Sequence, residues 1–156
     1  MNERRRQALK TGAGLGTLGA LVAVGLISPA DVLAQDWKAA FETRSLQDTI
    51  KALGGTTAAA ESKDITITAP DIAENGAVVP VAVSSTIPKT ESIAILVEKN
   101  PNMLAASFNF PAGTDTSVGT RVKMGQTSNV MALVKADGKF FLATKEIKVT
   151  LGGCGG

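Results

Sequence analysis

From Asp64 to Leu151 the apolar residues of this chain recur at every second position, in short runs broken by turn-forming residues. That period suits strands and excludes a helix bundle. Strands are predicted at Ile65–Ala69, Ala77–Thr86, Ser92–Glu98, Met103–Phe110, Gly119–Met124, Asn129–Lys135 and Phe140–Leu151. Between them stand the turn signals Asn75-Gly76, Asn100-Pro101-Asn102, Pro111-Ala112-Gly113, Gly125-Gln126 and Asp137-Gly138. No strand–helix repeat runs through the region, so a parallel sheet with crossover helices has no support. Seven short strands at spacings of about 8 to 12 residues predict an all-β fold, an antiparallel β-sandwich.

The strand spacing is similar to that of immunoglobulin-like domains. Alternation puts Ile93, Ile95 and Val97 on one face and Leu104, Ala106, Phe108 and Phe110 on another. Val130, Ala132 and Val134 oppose Met131 and Leu133, so this penultimate strand is apolar on both sides. One side belongs to the core; the other needs a cover, either an N-terminal helix or another subunit. Pro80, inside an otherwise regular strand, predicts an edge or a bulge there.

Ahead of the strands the period changes. Trp37, Ala40, Phe41, Leu46, Ile50 and Leu53 recur at helical spacing, predicting a helix over Asp36–Leu53 with a break near Thr43–Ser45 and a stop at Gly54-Gly55. Thr56–Ser62 reads as a small-residue linker.

The N-terminus reads as an export signal. Arg4-Arg5-Arg6-Gln7-Ala8-Leu9-Lys10 precedes an uncharged run from Thr11 to Ala30, and Val32-Leu33-Ala34 supplies small residues for cleavage before Gln35. The Arg5-Arg6 pair followed by Leu9-Lys10 resembles a twin-arginine signal, with Ala8 where a bulky apolar residue is usual. The expected organisation is a leader at 1–34, a helical segment at 35–55, a sandwich at 56–151 and an arm at 152–156. Processing would release a periplasmic protein with no membrane anchor. The chain has 16 basic and 14 acidic residues. Arg4, Arg5, Arg6 and Lys10 against Glu3 and Asp31 account for that excess, leaving the remainder formally neutral. A neutral chain without a basic stripe or interleaved aromatics gives nucleic acid no footing.

The C-terminus carries the chemistry. The only cysteine, Cys154, sits in Gly152-Gly153-Cys154-Gly155-Gly156, a segment with no packing side chain. Glycine visits positive φ freely and loses the most entropy on ordering, so this tail reads as a flexible arm. The chain has no histidine, which excludes Cys-His catalysis, and its single cysteine excludes a CxxC redox pair and a Cys/His zinc site. Lys145 and Lys148 are the cations nearest in sequence to the sulfur. No catalytic, cofactor-binding or metal-binding residue is assigned, so chemistry at the thiol has to be supplied by another protein.

Taken together, the twin-arginine leader, the helix before an immunoglobulin-like sandwich, the strand Ile147-Lys148-Val149-Thr150 and the terminal Gly-Gly-Cys-Gly-Gly resemble the SoxY family of periplasmic sulfur-oxidation carriers. The resemblance implies that Cys154 is the covalent attachment site for sulfur intermediates of thiosulfate oxidation, namely thiosulfonate, persulfide and S-sulfonate. Gly152, Gly153, Gly155 and Gly156 would form the swinging arm. It also implies a heterodimer with SoxZ. The further partners it implies are a haem-containing thiosulfate-conjugating enzyme, a thiosulfohydrolase and a sulfane dehydrogenase. The chain itself would be acted upon and not be an enzyme.

Two other readings stay open on the residues alone. One is a secreted immunoglobulin-like binding module joined by a Cys154–Cys154 disulfide; the other is a thiol enzyme of sulfurtransferase type, for which the tail has no anion-binding side chains. Partner contact is expected on an apolar sandwich surface, around Met131 and Leu133 or along Val79, Val81 and Val83.

Overall fold

A computed structural model describes residues 37–55 and 58–151. The predicted leader, the cleavage point before Gln35 and the Gly152–Gly156 arm lie outside the described residues, which all fall in one unit, Asp36–Gly156.

The helical segment forms α1 (Trp37–Phe41) and α2 (Leu46–Ala52), split at the predicted break. Ser45 caps α2, its hydroxyl accepting from Asp48 N at 3.1 Å. The elbow is held by two threonine hydroxyls: Thr43 Oγ1 and Thr49 Oγ1 lie 2.7 Å apart, with Ala40 O 2.7 Å from the first and Ser45 O 2.9 Å from the second, so that one hydroxyl donates to its carbonyl and accepts the proton of the other. At the C-terminus Gly54 takes φ 85° and Gly55 N donates to Ile50 O at 2.8 Å, a Schellman ending that only glycine enters without strain.

Among the described residues nine strands follow: β1 (Ala60–Glu61), β2 (Ile65–Thr68), β3 (Ile72–Ala73), β4 (Val79–Ser85), β5 (Thr90–Val97), β6 (Leu104–Asn109), β7 (Ser117–Val122), β8 (Ser128–Ala136) and β9 (Lys139–Val149). One sheet runs β1-β9-β8-β5-β6, with β3 also on β9; the other runs β2-β4-β7. The predicted immunoglobulin-like sandwich is therefore present. The β8–β9 hairpin turns through Asp137 (φ 48°) and Gly138 (φ 74°), both in the positive region that the tightest hairpin turn requires.

The two sheets enclose one core, built from Val79, Val81 and Val83 of β4, Ile93, Ile95 and Val97 of β5, Val130, Ala132 and Val134 of β8, and Ile147 of β9. The outer face of the larger sheet is apolar as well. Leu96, Met131, Leu133 and Phe140 there are covered by Ala40, Ile50 and Leu53 of the helical segment. The Met103 N–H donates to Thr43 O at 2.9 Å and fastens the elbow to the start of β6.

Five expectations need correction. The sandwich is not wholly antiparallel: β1 and β3 both pair parallel with β9, because the chain between them leaves to form β2 in the other sheet and then returns. β1 lies in the segment predicted as linker. Leu104 faces the helices while Ala106, Phe108 and Phe110 pack with Ile93 and Ile95, since a register shift after Ile95 moves Leu104 opposite Leu96. Pro80 sits in the central strand of the smaller sheet, but the β2 ladder stops at Thr68↔Ala82, so Pro80 has a strand on one side only. Finally, the expected partner surfaces are already filled: Met131 and Leu133 lie under the helices, and Val79, Val81 and Val83 lie between the sheets.

Candidate functional site: the root of the C-terminal arm

β9 is the strand that leads to Cys154, and its construction sets how firmly the arm is based. Phe141, Ala143, Ile147 and Val149 point into the core, and Phe140 and Leu142 pack toward the helices. β9 pairs with β8 from Ala136↔Lys139 to Ser128↔Ile147. Beyond Ile147 that ladder ends, and a separate set of contacts takes over.

The segment from Asp71 to Gly76, which contains β3, and Thr127 ahead of β8 supply them. Lys148 N donates to Asp71 O at 2.9 Å and Thr150 N to Ala73 O at 3.1 Å. Thr150 Oγ1 donates to Glu74 O at 3.2 Å, and Val149 N donates to Thr127 Oγ1 at 2.9 Å. Gly76 N donates to Leu151 O at 2.8 Å, while Gly76 O accepts from Met124 N at 2.7 Å. The carbonyl of the last described residue is thereby linked through one glycine to the residue just past β7, in the opposite sheet. Lys145 Nζ adds a cross-link, donating to Ala69 O at 2.6 Å and pairing with Asp71 at 3.0 Å.

Backbone and side chain differ sharply at this point. Leu151, the end of the predicted strand Phe140–Leu151, has its carbonyl bonded yet is 66% exposed, so its side chain does not pack. Ile147 is the last fully buried one, with Val149 partly buried behind it. Ile72 (57%) and Val78 (53%) are also exposed, in the segment that clasps the strand end.

Of the predicted site residues, Cys154, Gly152, Gly153, Gly155 and Gly156 lie outside the described residues. Lys145, one of the two cations nearest the thiol in sequence, is committed to Asp71 and Ala69, whereas Lys148 is exposed. Sequence reasoning missed the clasp: Asn75-Gly76 was legible only as a turn, and Asp71, Ala73 and Thr127 carry no motif. Among the described residues no group of His, Cys, Asp and Glu is placed to hold a metal ion, and no helix is long and apolar enough to cross a membrane.

The model of the sulfur oxidation protein SoxY matches residues 50–154, an interval that begins in α2 and ends on Cys154. The chain belongs to the SoxY family. In a solved structure, the sulfur carrier protein SoxY from Chlorobium limicola f thiosulfatophilum is 40% identical, with 68% of this chain and 96% of that one covered at a TM-score of 0.63. The human F-spondin reeler domain is a distant likeness, 10% identical over 62% of this chain and 95% of that one, with a TM-score of 0.44. No curated protein sequence matches the chain. This SoxY-family chain is thus a sulfur carrier by family, on an immunoglobulin-like sandwich.

Proposed function

We propose that Cys154 carries the sulfur intermediates of thiosulfate oxidation in the periplasm, on a complex with SoxZ, and that partner enzymes perform every chemical step. The observation that carries this reading is the family match, which runs through β9 and its clasp and ends at Cys154, the only thiol of the chain. The clasped strand end supports it, because an arm that visits several active sites needs a firm base.

The chemistry balances at one sulfur. A haem-containing partner couples the thiol to thiosulfate, forming an S–S bond, releasing one proton and accepting two electrons, to give Cys-S-S-sulfonate. A thiosulfohydrolase adds water across the outer S–S bond, releasing sulfate and a proton and leaving the persulfide. A sulfane dehydrogenase takes six electrons from the outer sulfur, with three waters supplying its oxygens, to give Cys-S-sulfonate. Hydrolysis of that species returns the thiol and a second sulfate. Tethering keeps each reactive species at high effective concentration and prevents its loss by diffusion.

Mass analysis of the mature protein from thiosulfate-grown cells tests the reading. Adducts of sulfur and sulfonate on the peptide containing Cys154, and on no other, are expected. A thiol found only as the Cys154–Cys154 disulfide, under every growth condition, would support the binding-module reading instead.

A further inference from the structure

The clasp does more than hold the strand end. Four large apolar side chains are exposed among the described residues: Phe41, Ile72, Val78 and Leu151. Three of the four belong to the arm root. Ile72 stands opposite Lys148 in the β3–β9 ladder, Leu151 is bonded through its carbonyl to Gly76, and Val78 follows two residues after Gly76. Val78 N also donates to Asn75 O at 3.4 Å and Ala77 N to Asn75 Oδ1 at 2.9 Å, so the segment that bears these side chains is braced by its own turn. Exposed apolar residues scattered singly are ordinary; here two lie on one braced segment and the third on the strand end bonded to it, beside the proposed tether.

We infer that Ile72, Val78 and Leu151 form an apolar collar that docks against the apolar rim of a partner enzyme's cleft when Cys154 enters it. The inference rests on the carrier reading of Cys154 and adds the surface that recognises the partner. Chain length dictates the occupant. Cys154 follows Leu151 by three residues, and a chain extends at most about 3.3 to 3.6 Å per residue. When the sulfur reaches a reactive centre, the Leu151 Cα is therefore within roughly 10 to 11 Å of the Cys154 Cα. The collar must then lie against the mouth of the cleft. The surrounding charges are of both signs, with exposed Asp71 and Glu74 beside exposed Lys148 and Lys123. Such a rim provides no net field for steering, which leaves apolar burial as the source of affinity. One apolar surface also serves several enzymes, because it demands no specific hydrogen-bond pairing from any of them.

The test uses the full mature chain, in its complex with SoxZ, loaded on Cys154 as the thiosulfonate and presented to the thiosulfohydrolase, with sulfate release as the readout. Ile72→Thr and Val78→Thr keep the β-branch that suits extended backbone, Leu151→Ser removes the third side chain, and Phe41→Ser on α1 is the control. Each collar variant should raise KM about three- to tenfold and the triple variant about a hundredfold, with kcat unchanged. Phe41→Ser should leave both constants at the wild-type value, and KM of the wild type should change less than about twofold between low and high salt. A triple variant with wild-type KM, an equal rise in Phe41→Ser, or a steep salt dependence overturns the collar while leaving the carrier reading intact. Wild-type chain that cannot be loaded, or that releases no sulfate, overturns the carrier reading and the collar with it.

Discussion

Replacing Gly55 with alanine should destabilise the fold through one identifiable contact. Gly55 ends α2, and a Cβ built there would overlap Ile50 Cγ2, stand 2.8 Å from Phe140 Cε2 and stand 2.9 Å from Ile50 O. Ile50 is buried and Phe140 nearly so, and both belong to the cluster between helices and sheet. The carbonyl is also the acceptor of the Gly55 N–H at 2.8 Å, so it cannot retreat without losing that bond. Overpacking of this kind costs about 1 to 3 kcal/mol. Alanine returns about 0.4 to 1 kcal/mol by restricting the unfolded chain. Taken at the middle of both ranges, the net loss is about 1.3 kcal/mol, a fall of roughly 4 to 8 °C in Tm for a domain of this size. Urea titration followed by circular dichroism reads it directly. Gly119→Ala is the matched control: a Cβ at Gly119 meets nothing within 4 Å, so stability should stay within about 0.5 kcal/mol of wild type. A Gly55→Ala chain that unfolds at the same urea concentration as wild type would refute the packing of α2 on β9.

Four further outcomes are expected. Cys154→Ser should abolish sulfur loading, read by mass analysis, while the melting curve stays unchanged, because the residue lies beyond a leucine that is itself exposed. Gly153→Val with Gly155→Val should keep the thiol but slow thiosulfate-dependent electron transfer in a reconstituted system, since branched side chains stiffen and thicken the arm; undiminished turnover would show that slimness is not required. N-terminal sequencing of periplasmic material should begin at Gln35, and recovery of intact residues 1–34 in membranes would count against processing. Lys145→Met keeps the aliphatic stem but removes both the bond to Ala69 O and the pair with Asp71, and should cost up to about 1 kcal/mol in urea unfolding.

The long strands were legible because each has a full period to display. β8 alternates Val130, Ala132 and Val134 against Met131 and Leu133, and both sets are buried where the pattern placed them, one against the other sheet and one against the helices. The break between α1 and α2 was legible for a similar reason, as Thr43 and Ser45 compete for backbone partners and favour an elbow. β1 and β3 were not, since a two-residue strand has no period. Ala60-Glu61 and Ile72-Ala73 become strands only because β9 offers an unpaired edge beside them. The shift that turns Leu104 to the helix side is likewise a property of the β5–β6 pair and not of either strand alone. Cys154 was singled out by its glycine surroundings and lies outside the described residues, whereas the residues that hold the arm root are ordinary ones brought together by the return of the chain after β2.

A strand apolar on both sides leaves a choice between a helix of the same chain and a neighbouring subunit. Here the helical segment takes the face, using Ala40, Ile50 and Leu53 over Leu96, Leu133 and Phe140. The proposed contact with SoxZ would then use surface that this chain leaves open, and the proposed collar reserves the end of the sandwich that bears Ile72, Val78 and Leu151 for the arm's destinations. A heterodimer that buried those three side chains would occlude the mouth contact whenever Cys154 was to be delivered. Hydrogen exchange of the complex separates the two surfaces: protection of amides on assembly should appear away from residues 72–78 and 150–151. Added protection of Gly76 and Thr150 on binding SoxZ alone would show that the arm root belongs to the heterodimer interface, and the enzymes would then have to recognise the carrier elsewhere.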